Sequence, residues 1–263
     1  MSDDISQLLR DWPFEPGKIN ARVVTSPDGS RRIQVRIDLG ILQMFPEGRP
    51  DGLTPFGFPS LLEFHESRLD ELRQDAAGDQ ESGEAEPPKD PESFSLTPEE
   101  CRALRDEAVQ FYHRYVALLA LEDFEGVIQD TSRNLRVLDF CKKHAEREED
   151  RTILEQFRPY ITMLRSRAYA GLALKENEPK AAVLALEEGL DTLRKYFAEH
   201  NQPQLFEQSN EVQMLRTMRD ALVPKLPVSQ KAELHARLER ALSQENYELA
   251  AILRDELRML KEA

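Results

Sequence analysis

Between Pro98 and Val223 apolar residues recur at helical spacing almost without interruption, and this run constrains the fold more than any other feature of the chain. Phe111, Tyr115, Leu118 and Leu119 mark one such face, and "DFEGVIQDTSRNLRVLDFCKKHA" resumes the pattern after the short break "LED". "RTILEQFRPYITMLRSRAYAGLALK" and "PKAAVLALEEGLDTLRKYFAEH" form a second pair, broken at "ENEP". Short breaks of this kind make consecutive helices antiparallel neighbours. Thr97 is placed to cap the first helix, with Pro98 at its first position and Glu100 completing a capping box. Pro179 suits the first turn of its helix, whereas Pro159 predicts a kink or break near Arg158.

Upstream, "KINARVVTSPDGSRRIQVRIDLG" reads as a β-hairpin around a Pro-Asp-Gly turn. Ile33, Val35, Ile37 and Leu39 alternate with Arg32, Gln34, Arg36 and Asp38, so one face is expected apolar and the other polar. Ile19, Ala21 and Val23 match the apolar face. Two strands are marginal alone, and the helix "PSLLEFHESRLDELR" is the expected lid. The Gly- and Pro-rich "MFPEGRPDGLTPFGFPS" is expected as a loop, with Phe45, Phe56 and Phe58 of residues 45–59 plugging the small N-terminal core. A ligand or partner loop is the sharper alternative.

A formal net charge of −14 opposes binding to a phosphate polyanion. Much of the excess acid lies between Asp51 and Glu100, where "DAAGDQESGEAEPPKDPE" has the composition of a flexible linker. The expected domains are an N-terminal β-hairpin plus helix over 1–74, an acidic linker over 75–96, a helical array over 97–226 and a two-helix hairpin over 227–263. The acidic start "MSDDISQLLRDW" lacks the pattern of a secretory signal, and no apolar run approaches the ~20 residues of a membrane span. Cys101 and Cys141, far apart and outside any CxxC arrangement, read as reduced thiols, so the expected compartment is the cytoplasm.

Beyond Pro224 and Pro227 a new unit starts. "SQKAELHARLERALSQ" aligns Leu234, Leu238, Ala241 and Leu242, and "NYELAAILRDELRML" aligns Leu249, Leu253, Leu257 and Leu260, with Asn246 as N-cap of the second helix. A hairpin this short lies below the ~40 residues at which domains usually fold unaided, so it must bury its apolar face against something else. Leu249, Ile252, Leu253, Leu257 and Leu260 exceed what the Leu234/Leu238/Leu242 stripe can cover, and Ala250 with Ala251 permits close approach of another helix. Ala250, Ala251, Leu257 and Arg258 stand at the helical neighbour positions of Arg254, so its partner is expected elsewhere, with Glu233, Glu239 or an acid on another molecule as candidates. Packing of the hairpin on its own helical array is the plainer alternative.

"LERALSQENYELAAILRDELRML" resembles the UVR motif, the helical hairpin at the C-terminus of UvrB that is also found in UvrC and in bacterial regulatory proteins. Tyr247, Glu248, Ala250, Ala251, Leu253, Arg254 and Asp255 match the pattern. The resemblance implies a hairpin that associates with a second hairpin or a partner protein; these residues and Leu257 are the expected contact set. The helicase and nuclease bodies of UvrB and UvrC are absent, as are the Cys-rich zinc motifs of some UVR-bearing regulators, so no repair chemistry is inherited. "VRIDLGILQMFPEGRPDG" also resembles the start of bacterial UVR-containing proteins, which supply no activity to carry over. Ala170, Ala182 and Gly189 resemble the small-residue positions of a tetratricopeptide repeat, and "EDFEGVI" its turn. Tyr115, Val127 and Asn134 depart from it, and the two turns lie roughly 55 residues apart against a repeat of ~34.

The chain has no GxxxxGK[ST], GxSxG or strand-linked GxGxxG. His65, His113, His144, His200 and His235 are scattered without metal spacing, so neither cofactor nor metal is expected. The expectation is a non-catalytic bacterial adaptor or scaffold that meets a protein partner or a second copy through its C-terminal hairpin, with nucleotide-excision-repair or Clp-type proteins as the partners the resemblance implies. The runner-up is a nucleic-acid-associated repair accessory using Arg22, Arg32 and Arg36 on the polar face of the β-ribbon. A third reading, an enzyme with its site in the Phe-rich loop, requires a pocket with converging polar groups.

Overall fold

The computed structural model describes residues 4–78, 94–222, 230–243 and 252–254. They fall into two compact units, Met1–Arg219 and Asp220–Ala263. The chain is mainly helical behind an N-terminal antiparallel sheet. Helix α1 (Ser6–Asp11) precedes strands β1 (Asn20–Thr25), β2 (Arg31–Ile37) and β3 (Gly40–Met44). Then come α2 (Leu61–Gly78), α3 (Pro98–Ala120), α4 (Phe124–His144), α5 (Glu148–Thr152), α6 (Arg158–Lys175), α7 (Pro179–Glu199), α8 (Pro203–Phe206) and α9 (Asn210–Leu222).

The expected hairpin is a three-stranded sheet of order β1-β2-β3. The added strand is the "GILQM" that the Gly/Pro-rich sequence around it obscured; it pairs Val35 with Leu42 and Ile33 with Met44. Burial along β2 also departs from simple alternation. Ile33 is buried, but Ile37 and Leu39 are exposed, whereas Gln34 and Arg36 are buried. The polar face is covered because Arg36 donates to the carbonyls of Trp12, Asp38 and Gly40, and Gln34 bridges Arg22 and Gln43. A buried guanidinium surrounded by carbonyl acceptors is tolerated where a bare one is not.

The expected lid, α2, packs on the helical array rather than over the sheet, and the sheet meets α3 instead. Leu62 and Leu69 join Leu96, Leu104, Leu138 and Ile161 in one apolar core. Ion pairs Arg68–Glu100 (2.6 Å) and Arg136–Glu66 line the same contact. The acidic linker falls mainly on 79–93, outside the described residues, and the segments on either side of it belong to one compact unit. Cys101 and Cys141, free thiols on helices that the sequence separates, lie buried together in this core.

The array is built from α3 on α4, α4 on α6 and α6 on α7. The Thr97 hydroxyl accepts from the Glu100 amide (3.2 Å), and the Glu100 carboxylate accepts from the Thr97 amide (2.9 Å), which is the expected capping box. The break near Arg158 is present, since α6 starts there after a 3-10 turn at Glu155–Phe157. Helices α3, α6 and α7 end alike, with Glu122, Asn177 and Asn201 at φ 57°, 59° and 56°. The following amides return to Leu118, Ala173 and Phe197, satisfying carbonyls that the helix end exposes. Ala170 and Ala182 are fully buried, and a side chain at Gly189 would strike Ser166 and Leu215, so close helix approach demands a small residue here.

Charged side chains tie the N-terminal segment to the array. On α3, Glu107 is buried and accepts from the Leu61 amide (2.9 Å); it also pairs with Arg133 of α4 and lies 3.4 Å from the Arg49 Nε. Arg114 grips Asp130 of α4 through bonds of 2.7 and 2.8 Å, and its remaining nitrogen donates to the carbonyls of Phe45 (3.1 Å) and Gly48 (2.7 Å). Phe111 lies between both guanidinium groups, 4.9 Å from Arg114 and 4.1 Å from Arg133. Removing one partner of a buried pair leaves an uncompensated charge. Glu107→Leu is therefore expected to destabilise the first unit by about 3–5 kcal/mol, and Arg136→Ala, which breaks a half-exposed pair, by less than about 1 kcal/mol. Urea unfolding of both variants checks the contrast.

Candidate functional site

The first candidate is the C-terminal unit. Helix α10 (Gln230–Ser243) includes Leu238 and Ala241, and residues 252–254 are helical again. Leu253 is buried at 1% exposure and packs with Ala241 and Leu238, so two segments close on one another as a hairpin does. Residues 229–263 match the family model of the UvrB/uvrC motif, UVR. No curated protein and no solved structure matches the chain.

Within this UVR motif the structure redistributes the expected contact residues. Leu253 sits in the hairpin's own seam, because Ala241 opposite it is small enough to admit a leucine. Arg254 is exposed and is not without a partner. Tyr247, Glu248, Ala250, Ala251, Asp255 and Leu257 lie outside the described residues, as does the expected N-cap Asn246. Ile252, at 63% exposure, and Leu242, at 50%, are the apolar side chains left outward among the described residues of the UVR motif.

The β-ribbon arginines are engaged within the chain. Arg36 is buried among carbonyls as described above. Arg22 stacks its guanidinium 4.0 Å from the Trp12 ring centre and donates to Gln34 (2.9 Å). Arg32 stacks over Phe45 at 3.8 Å and donates to Ser30 (2.7 Å). The Phe-rich loop divides: Phe45 and Phe58 are half-buried, whereas Phe56 is 73% exposed, stands at φ 53° and stacks on Phe64 with ring centres 4.3 Å apart.

A second candidate was not singled out by the sequence reading. A cleft of about 430 Å³ opens between α3, α4, α6 and the 3-10 turn before α6. Tyr115, Asn134, Leu138 and Ile161 form its buried floor, and Val109, Tyr112 and Phe157 its exposed rim. The Tyr115 ring meets Tyr112 edge to face at 5.5 Å, and Tyr112 meets Tyr160 at 6.4 Å with a 53° tilt. Burial pushes the phenols of Tyr115 and Tyr160 above the usual range, so both stay neutral. The available signal was Val109 and Tyr112 on α3, two large residues outside the helical stripe that packs on α4. Among the described residues no group of three or more His, Cys, Asp or Glu side chains could hold a metal ion. No helix of the described residues is long and apolar enough to cross a membrane.

Burial of Leu253 gives the UVR motif a testable internal seam. Leu253→Asp is expected to cost the hairpin at least the ~2–5 kcal/mol of a buried leucine truncation and to strip amide protection from α10. Ile252→Asp, one residue away but exposed, is expected to leave that protection unchanged. Hydrogen exchange over 230–243 separates the two.

Proposed function

We propose that the protein is a non-catalytic cytoplasmic adaptor or scaffold of bacteria that docks a protein partner, or a second copy, through its C-terminal UVR hairpin. The observation that carries this reading is the UVR match over 229–263 joined to the hairpin's geometry. Leu253 and Ala241 satisfy the seam, yet Ile252 and Leu242 remain partly in water, and covering each recovers part of the roughly 1.5–3 kcal/mol that full burial of such a side chain is worth. The motif is known for protein and DNA interaction in excision repair. Excision-repair proteins and Clp-type machines are accordingly the partner classes we favour.

The nucleic-acid reading draws less support. Its three arginines hold partners inside the chain, and the overall charge of −14 adds an opposing field. The enzyme reading also draws less support, since the Phe-rich loop turns its outermost ring, Phe56, onto Phe64 rather than into a pocket.

Docking through the hairpin predicts that Ile252→Asp and Leu242→Asp each weaken partner capture about tenfold or more, as loss of a central apolar contact does. Leu39→Ser, which alters a highly exposed hydrophobic on the β2–β3 turn, should leave capture intact. Pull-down with mass-spectrometric readout, paired with sedimentation to detect self-association, tests this. Equal capture by all three variants would overturn the docking claim.

A further inference from the structure

We infer that the tyrosine-lined cleft between α3, α4 and α6 binds a small, uncharged, ring-bearing molecule of about indole or naphthalene size. The cleft's ~430 Å³ falls in the ~300–1,000 Å³ range of ligand sites. Its shape selects rings. Tyr112 stands at 88° to Tyr115 and at 53° to Tyr160, so one flat guest can lie against a face and meet an edge at once. Phe157 and Val109, both about half exposed, extend the apolar wall to the rim.

Charge is excluded by what already occupies the polar groups. Arg105 at the cleft edge is paired with Asp150. The Asn134 amide donates to the Ala108 carbonyl (2.9 Å) and accepts from Arg133 (3.0 Å), and Arg133 is itself paired with Glu107. A charged guest would shed water and meet no spare counter-charge. A peptide is disfavoured for a related reason: its backbone N–H and C=O groups need partners, and the lining residues supply chiefly the Tyr112 and Tyr160 hydroxyls. A compact aromatic with a single hydrogen-bonding group, as in indole or naphthol, matches both the walls and that sparse polarity.

The test is titration of the full chain with N-phenyl-1-naphthylamine, an uncharged probe whose fluorescence rises in apolar surroundings. The parent protein should give a saturable rise that indole reverses. Val109→Arg, which sets a long charged side chain at the apolar rim, and Tyr112→Ala, which removes a ring from the aromatic slot, should each weaken the probe about tenfold or more. Leu39→Ser, on the exposed β2–β3 turn, should bind like the parent and so separates the cleft from surface adsorption. Circular dichroism shows whether each variant keeps its helices. Absence of a saturable rise, or binding undiminished in both folded cleft variants, overturns the proposal, as does equal loss in Leu39→Ser.

Discussion

The pairing of Glu107 with Arg133 inside the first unit is the interaction on which its other contacts depend. Neither group can remain charged away from water without a partner, so α3 and α4 are fixed not only against each other but in register. Glu107 then uses its remaining capacity on the Leu61 amide and on Arg49, and Arg114 spends one nitrogen on Phe45 and Gly48 carbonyls. The loop that leads from the sheet to α2 is thereby tied to the array by ionic groups as well as by its own turns. That is why a Gly- and Pro-rich connector can enter α2 at a defined point on the array.

The same dependence explains where the sequence was readable. Local signals survived intact: Thr97 and Glu100 cap α3, Pro159 marks the break at which α6 begins, and Pro179 opens α7. Each of these is decided within one helical turn. What failed to show was decided by distant partners. Arg36 and Gln34 read as a solvated face because alternation carries no information about Trp12 or Gln43, which cover them. β3 was hidden because "GILQM" is too short to stand out beside prolines and glycines, and only pairing with β2 defines it. Glu107 did leave a trace, since it lies between Leu104 and Phe111 on the apolar face of α3, where an ionised group needs a partner.

At the C-terminus the legible part was the motif, and the less legible part was the division of labour within it. Residues 229–263 match the UVR model, as the sequence pattern implied. Periodicity alone put Leu253 and Ile252 into one apolar surplus; the structure separates them, one into the seam with Ala241 and one into solvent. The proposed docking role uses both: a seam that keeps the hairpin closed and an outer face that a partner can cover. The cleft of the first unit follows a different logic, with aromatic walls and internally neutralised charge. It points to a small guest rather than to a chain.

The claim that association is a property of the C-terminal hairpin and not of the helical body is tested most directly by hydrogen exchange on the full chain as a captured partner is added. The account predicts new protection over 230–263 with 98–144 unchanged. Protection gained on the sheet or on α3 and α4, with 230–263 unaltered, would contradict it.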